Sequence, residues 1–186
     1  MIITGYQGIG KSTLASKRQD VIDLESTCFW NYEEEYGERT GNKTRPDDWY
    51  VYYGQVAIDL SKKGYTVFVA CHPQVREWLE KHHEYEPFCA LFPSPSLEKE
   101  WIDKLQKRYD KSGLDKDLAA LNRARDFYKK DINRLLYECS YGVEWYSDAM
   151  MIESIDYNLN DYVEKMNDYC NQKYQKDENY EDDKER

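Results

Sequence analysis

Several features that would indicate other classes of protein are missing from this sequence of 186 residues. It contains no run of 18 apolar residues, so we expect no membrane-spanning helix. Its N-terminus lacks a basic segment followed by an apolar one, so we expect no secretory signal. The five cysteines include no C-x-x-C pair, which argues against a zinc site. Their odd number, together with the missing signal, indicates reduced thiols and a cytoplasmic location.

Basic residues are too few to balance the acidic ones. The chain has 26 Lys and Arg against 36 Asp and Glu, which gives a formal net charge of −10. This charge argues against a general nucleic-acid coat, because phosphate backbones are met by a surplus of Lys and Arg. A local basic pocket is still compatible with it. We therefore do not expect nucleic acid to be the partner of this protein.

The composition and the patterning predict one α/β domain. Hydrophobic residues make up 40% of the chain, enough for the core of a single domain. We predict that this domain covers residues 1–176 and that residues 177–186 form an acidic, disordered tail. Short apolar runs alternate with segments of helical periodicity, which is typical of a parallel sheet flanked by helices. Predicted strands occupy residues 1–4, 20–24, 66–70, 88–92 and 149–152. Predicted helices occupy residues 11–18, 47–63, 74–84, 97–111, 115–137 and 155–174, and residues 31–46 are predicted to be loop or broken helix.

Residues 5–12 read GYQGIGKS, a full match to the phosphate-binding motif G-x-x-x-x-G-K-[ST]. Its glycines allow backbone N–H groups to surround a phosphate without side chains in the way. The motif follows a predicted apolar strand and opens a predicted helix, as this mechanism requires. Lys11 is expected to reach the β- and γ-phosphates of a nucleotide, and the Ser12 hydroxyl is expected to bind Mg²⁺. The residues expected to bind ATP are Gly5, Gly8, Ile9, Gly10, Lys11, Ser12 and Thr13.

The sequence resembles small P-loop kinases of the nucleoside-monophosphate-kinase, shikimate-kinase and gluconate-kinase type. It is more closely similar to nucleotide kinases encoded by bacteriophages of low-GC Gram-positive bacteria. That likeness is carried by MIITGYQGIGKSTLA, VIDLEST, RPDDWYVYYGQVAIDLSKKGYTVFVACHPQVREWL and FPSPSLEKEWIDKLQKRY. The resemblance implies a three-layer P-loop NTPase fold with about five parallel strands in the order 2-3-1-4-5. It also implies ATP as the phosphoryl donor and, for a phage-encoded protein, a location in the host cytoplasm.

Motifs that would identify the phosphoryl acceptor are missing. The sequence contains neither the D-G-[FY]-P-R stretch nor the C-x-x-C lid of adenylate kinases. It also lacks the D-R-[YFH] triplet of thymidylate and deoxynucleoside kinases. The acid that usually follows the third strand is replaced by Cys71 and His72. The identity of the acceptor is therefore left open.

Polar residues follow the predicted strands at the edge where a parallel sheet binds ligands. Asp23 and Glu25 lie two apart in an extended segment, so both carboxylates are expected to face the same side. Asp23 is a candidate Mg²⁺ ligand, and either Glu25 or Asp23 is a candidate for orienting the attacking hydroxyl of the acceptor. Both also suit a polar strand end that caps a turn. Shikimate and gluconate kinases carry an acid pair at this place. His72 is a candidate for bonding a substrate phosphate or hydroxyl, or else a turn histidine before Pro73.

Transfer of a phosphoryl group requires positive charge beyond Lys11 and Mg²⁺. The resemblance places a mobile lid over residues 104–134. Within it, we expect Arg108 and Arg125 to stabilise the transferred group. Arg125 lies seven residues before Ile132 on the apolar stripe, so it is expected to point inward. An ion pair within the protein is the alternative for Arg125.

The resemblance also places acceptor binding in residues 26–65. Arg45 is the best candidate there for holding a monophosphate, and an aromatic residue of the segment could stack on a base. Three consecutive acids, residues 33–35, are interpreted as a solvated helix face.

Together, these features predict a kinase that depends on ATP and Mg²⁺ and moves the γ-phosphoryl group to a small acceptor. A nucleoside monophosphate or a nucleoside is the expected acceptor. One alternative is a P-loop protein that binds nucleotide as a regulatory ligand and acts through a partner. Another is a kinase for polynucleotide 5′-hydroxyls, against which the net charge counts. The sequence does not indicate an oligomeric state.

Overall fold

The computed structural model describes residues 1–83, 86–140 and 148–182, in which strands and helices alternate. The strands are β1 (Ile2–Gly5), β2 (Val21–Asp23), β3 (Asn31–Glu35), β4 (Glu38–Thr44), β5 (Thr66–Ala70), β6 (Phe88–Pro93) and β7 (Asp148–Ile152). The helices are α1 (Lys11–Ala15), α2 (Trp49–Ser61), α3 (Pro73–His82), α4 (Glu98–Ser112), α5 (Asp115–Ser140) and α6 (Leu159–Asp182). Short 3₁₀ turns cover Ser26–Phe29 and Pro95–Leu97.

Five strands form a parallel sheet in the order β2-β5-β1-β6-β7. Ile2 of β1 lies opposite Val67 of β5 on one side and Phe88 of β6 on the other. Gly5 and Ala70 are likewise opposite each other, so the carboxyl ends of β1 and β5 lie side by side. In chain-order numbering this is 2-5-1-6-7 and not the expected 2-3-1-4-5, because β3 and β4, which the sequence did not predict, precede β5 in the chain and form a separate sheet. The strands predicted as third, fourth and fifth correspond to β5, β6 and β7.

Helices cover both faces of the parallel sheet, so the fold is α/β with a helical layer on each side. Successive strand residues point to opposite faces. Ile2 and Val67 therefore face a core shared with α2 and α3. Trp49 of α2 and Leu79 of α3 belong to this core. Residues of opposite parity, such as Ile3, face a second core shared with α1, α4, α5 and α6. Its helix-borne members include Leu14, Trp101, Leu105, Tyr128, Ile132 and Val163.

Residues 31–46 do not form the predicted loop or broken helix. β3 and β4 pair as an antiparallel hairpin. Its turn is Tyr36–Gly37, with φ values of 54° and 82°. Two successive positive φ values are typical of the tight turn that joins hairpin strands. The hairpin was not predicted because both faces of β3 are exposed and charged. Its sequence therefore lacks the alternation of apolar and polar residues that indicates a strand.

The last helix is longer than predicted. α6 runs to Asp182, so the expected disordered tail from residue 177 begins inside a helix. Residues 183–186 of that tail, and residue 84 of the predicted helix 74–84, lie outside the described residues. In the described part of the chain, no helix has both the length and the apolar character needed to cross a bilayer.

Candidate functional site

Residues 5–10, from the end of β1 to the start of α1, are called the glycine loop below. Gly8 and Gly10 have φ values of 83° and 94°, in the left-handed region. Gly8 is required for a second reason besides its positive φ. An added Cβ would lie 2.8 Å from Cδ2 of Leu105, so there is no room for a side chain. At this position the loop therefore consists of backbone alone, which is the kind of surface that can bind a phosphate.

Lys11 opens α1 directly after the glycine loop. Its Nζ donates hydrogen bonds to the carbonyl oxygen of Gly5 at 3.1 Å and to that of Tyr6 at 3.4 Å. Both acceptors are neutral. A phosphate oxygen would be a stronger acceptor for the same ammonium group, because charge-assisted hydrogen bonds are the stronger ones.

Ser12 and Asp23 meet where α1 passes the end of β2. The Ser12 hydroxyl donates to Oδ2 of Asp23 at 2.5 Å. Mg²⁺ in nucleotide sites prefers oxygen donors and takes one or two protein ligands, with phosphate and water completing the shell. Among the residues described here, no three or more His, Cys, Asp or Glu side chains gather into a metal-binding group. This hydroxyl and carboxylate pair therefore fits Mg²⁺ shared with a phosphate better than a metal held by protein alone.

A cavity of about 320 Å³, called the first cavity, lies between the glycine loop, the end of β5 and the helices α3 and α5. Lys11 lines it from the loop side. Three arginines line it from the helices: Arg76 of α3, and Arg123 and Arg134 of α5. Asp131 is the acid among its described lining residues. Four cations around one small cavity form a basic wall in a chain whose net charge is −10.

Arg76 is the buried member of this wall, with 3% of its surface exposed. It donates two hydrogen bonds to the Glu138 carboxylate, at 2.7 and 3.0 Å, and one to the carbonyl of Cys71 at 2.7 Å. Arg134 donates to the same carboxylate at 2.9 Å. Glu138 therefore fixes two arginines beside the cavity and balances part of their charge.

Arg123 reaches the first cavity from the first half of α5. Its Nε and Nη2 donate to the Asp131 carboxylate at 2.7 and 2.5 Å. A guanidinium carries five N–H donors, and this ion pair employs two of them. Arg123 can therefore hold Asp131 and a ligand anion at the same time.

The prediction that Arg125 points inward is wrong. α5 buries Ala124 and Tyr128. Arg125 lies about 100° around the helix from Ala124 and is exposed, and its Nη2 donates to Oε1 of Gln106 at 2.6 Å. The spacing of seven residues between Arg125 and Ile132 led to the wrong prediction. The buried face of α5 includes the preceding residue, Ala124, and leaves Arg125 exposed.

Arg108 and Glu25, two further predicted site residues, also lie away from the first cavity. Nη2 of Arg108 contacts Oδ1 of Asp117 at 2.5 Å, and 45% of its side chain is exposed. Glu25 is exposed, and its carboxylate lies 4.0 Å from Nζ of Lys116. The predicted lid, residues 104–134, consists of the second half of α4, a short turn and most of α5.

His72 lines the first cavity at the end of β5. Its Nε2 lies 3.5 Å from Oγ of Ser26, and its ring meets Trp49 edge-on with 5.2 Å between centroids. Burial, reinforced by three nearby arginines, lowers the pKa of His72 to about 4. The imidazole is therefore neutral at pH 7 and adds no charge to the cavity wall.

Arg45 belongs to the same neighbourhood, although it does not line the cavity. Its guanidinium carbon lies 4.0 Å from the ring centroid of Trp30 and 4.1 Å from that of Trp49. Its Nη2 donates to the carbonyl of Ser26 at 2.9 Å. Burial lowers the pKa of Arg45 from its usual value. The segment 26–65 thus contributes a stacked arginine close to His72.

A second cavity, of about 470 Å³, adjoins the later part of the glycine loop. Ile9 and Gly10 line it from the loop, and Thr13 lines it from α1. Lys104 of α4 and Tyr157, from the connection between β7 and α6, line its other side. The glycine loop therefore contributes to two cavities, and both have cations in their linings, which in the second are Lys17, Arg18 and Lys104.

The arginines of the first cavity were missed, although the sequence carried signals for them. Arg76 lies four residues after His72, on the first turn of the helix that follows a strand end. Arg123 and Arg134 lie 11 residues apart, about three helical turns, and so share one side of α5. Neither the models of known protein families nor the characterised proteins match this chain. Function must therefore be argued from these residues and their geometry.

Proposed function

We propose that this chain is a P-loop NTPase-fold kinase of the cytoplasm that transfers the γ-phosphoryl group of ATP to a small acceptor. The acceptor is a nucleoside monophosphate or a nucleoside. One observation carries the proposal: Lys11, at the end of the glycine loop, lines the same cavity as Arg76, Arg123 and Arg134. A loop suited to a polyphosphate thus borders a basic cavity of substrate size.

The glycine loop and Lys11 bind the donor. Backbone N–H groups of residues 8–13 donate to the β- and γ-phosphates, and Lys11 exchanges its carbonyl acceptors for phosphate oxygens. Ser12 and Asp23 hold Mg²⁺, which when bound neutralises charge on the β- and γ-phosphates. The second cavity, beside Gly10 and Thr13, has room for the nucleoside part of the donor.

The acceptor lies in the first cavity, on the far side of Lys11 from the second. Its oxygen attacks the γ-phosphorus in line, and the bond from that phosphorus to the β–γ bridging oxygen breaks, which releases ADP. A monophosphate oxygen attacks without losing a proton, whereas a hydroxyl passes its proton to a base. Lys11 and Arg123 stabilise the charge that spreads over the transferred group, because both reach this cavity.

The regulatory alternative is supported by one feature of the same cavity. Arg76, Arg123 and Arg134 already form ion pairs with Glu138 or Asp131. Ion pairs of this kind also occur where charged side chains have only a structural role. The three arginines are therefore also compatible with a protein that binds nucleotide and has no small-molecule acceptor in this cavity. A regulator would bind nucleotide tightly and form no phosphorylated product.

The test is coupled ADP release over a panel of nucleosides and nucleoside monophosphates. Wild type is compared with Lys11→Ala and with Lys63→Ala, a control that removes an exposed lysine after α2. We expect one or a few acceptors to raise ADP release above ATP hydrolysis alone. Lys11→Ala should lower this rate at least about 100-fold, because it removes charge stabilisation in the transition state, and Lys63→Ala should not. If no acceptor raises turnover, the small-molecule kinase proposal is wrong.

A further inference from the structure

Two carbonyl groups of the glycine loop are held from outside by aromatic side chains. Nε1 of Trp101 donates to the carbonyl oxygen of Gln7 at 3.0 Å. The Tyr157 hydroxyl donates to the carbonyl oxygen of Ile9 at 2.8 Å. In a trans peptide, the C=O of one residue and the N–H of the next point in opposite directions. These two bonds therefore turn the N–H groups of residues 8 and 10 away from the aromatic side chains.

Lys104 contacts both of these aromatic side chains. Its Nζ donates to the Tyr157 hydroxyl at 2.9 Å. The same Nζ lies 4.4 Å from the ring centroids of both Trp101 and Tyr157. The two rings are nearly parallel, with centroids 6.0 Å apart. One ammonium group thus fixes the positions of both aromatic donors.

The protonated form of Lys104 allows only one direction for this hydrogen-bond chain. A phenol has one proton, and Tyr157 gives it to the carbonyl oxygen of Ile9. An ammonium group has no lone pair, so it can only donate to the Tyr157 oxygen, as it does here. A neutral amine can donate in the same way, but its lone pair can also accept the phenol proton in a hydrogen bond, which would turn the hydroxyl away from Ile9.

We propose that Lys104 is a positioning residue for nucleotide binding: its ammonium group orients the Tyr157 hydroxyl toward the glycine loop and keeps the loop in its phosphate-binding shape. This inference rests on the proposed function, since it assumes that the glycine loop binds Mg·ATP. It adds a dependence on the protonation of a residue about 90 positions away in the chain.

The surroundings of Lys104 make this dependence measurable near neutral pH. Burial, assisted by Arg108, lowers the pKa of Lys104 to about 8. Lys17 and Arg18 line the same second cavity and are further cations on that side. Tyr157 itself stays protonated, because burial and Tyr162 raise the pKa of its phenol. Raising the pH through 8 should therefore discharge Lys104 and leave Tyr157 neutral.

The experiment is a calorimetric titration of each protein with Mg·ATP at several pH values from 6.5 to 9.5. For wild type we expect the affinity to fall by up to about tenfold between pH 7 and pH 9, as a group with pKa 8 loses its proton. Lys104→Met should bind more weakly than wild type at pH 7 and show a flat pH profile. Lys104→Arg, which keeps its charge, should retain affinity above pH 8.

Tyr157→Phe tests the contact with the loop and leaves the rings in place. We expect its Kd for Mg·ATP to rise about 2- to 12-fold, the range for one neutral hydrogen bond. Tyr162→Phe is the matched control, because Tyr162 packs edge-on against Tyr157 at 6.1 Å. Its Kd should be unchanged. Circular dichroism of every variant confirms folding before titration.

The outcomes separate this inference from the proposed function. If wild type binds no Mg·ATP, the proposed function itself fails. If wild type binds Mg·ATP with a flat pH profile, and Lys104→Met and Tyr157→Phe bind equally well, the positioning role is overturned and the kinase proposal stands. If Lys104→Met is unfolded, Lys104→Arg decides: a profile identical to that of wild type overturns the inference.

Discussion

Two neighbouring tyrosines allow a matched test of the packing that supports the glycine loop. Tyr6 and Tyr128 meet edge to face, with ring centroids 5.8 Å apart. The Tyr128 hydroxyl donates to the carbonyl oxygen of Ser94 at 2.8 Å. The buried Tyr6 hydroxyl has no hydrogen bond of standard geometry among the described residues. Burial raises the pKa of the Tyr6 phenol, and the nearby Gln7 side chain lowers it slightly, although the Gln7 amide nitrogen donates to the carbonyl oxygen of Ala120 at 3.0 Å.

Replacing each tyrosine by phenylalanine should therefore have different effects on stability. Tyr128→Phe removes one of two hydrogen bonds at the buried Ser94 carbonyl, which still accepts from the Leu97 N–H at 3.0 Å, so it costs about 0.5–1.5 kcal/mol of unfolding free energy. For a chain of this length, that lowers Tm by about 1–6 °C. Tyr6→Phe removes a buried polar atom that has no partner, so we expect Tm to change by less than about 2 °C or to rise.

The assay is thermal unfolding of wild type and both variants, followed by circular dichroism at one protein concentration. Urea unfolding of the same samples gives the free-energy difference directly. A loss of stability in Tyr6→Phe equal to that in Tyr128→Phe would refute the reasoning. It would mean that the Tyr6 hydroxyl is bonded and that the wall of the first cavity is arranged differently.

Two further predictions concern the site. His72 has a pKa of about 4 when folded and about 6.5 when unfolded, so its stabilising contribution is complete above pH 6.5 and is lost as the pH falls toward 4. His72→Gln should remove up to about 3 kcal/mol of this pH dependence in urea unfolding between pH 4 and 7.5; an unchanged slope would contradict it. Gly8→Ala combines positive φ with a close contact to Leu105, so it should abolish Mg·ATP binding in calorimetry. Gly64→Ala is the control, with φ of 89° and open space around the added methyl, and should bind normally.

Elements with an apolar pattern could be predicted from the sequence. TVFVA, with no charge and several β-branched residues, indicated a buried strand, and β5 covers the same residues, Thr66–Ala70. The glycine motif indicated a loop between a strand and a helix, and residues 6–10 lie between β1 and α1. The signal was sufficient in both cases because burial and backbone conformation act on residues that are close in the sequence.

The hairpin and the cavity wall could not be predicted in the same way. β3 has no buried face, so its strand structure depends on pairing with β4 and on the turn at Tyr36 and Gly37. The side of α5 that faces the cavity depends on how that helix packs on α4 and the sheet. Two positions, or about 200° around the helix, separate Arg123, which lines the cavity, from Arg125, which does not. Periodicity alone did not fix that rotation, which is why Arg125 was chosen in place of Arg123.

The central claim is that the glycine loop binds a polyphosphate together with Mg²⁺ held by Ser12 and Asp23. The most direct measurement is calorimetric titration of the wild-type protein with ATP, once with Mg²⁺ and once with a chelator. We expect one ATP to bind per chain with Mg²⁺ and markedly weaker binding without it. Absence of any heat of binding in the presence of Mg²⁺ would contradict it.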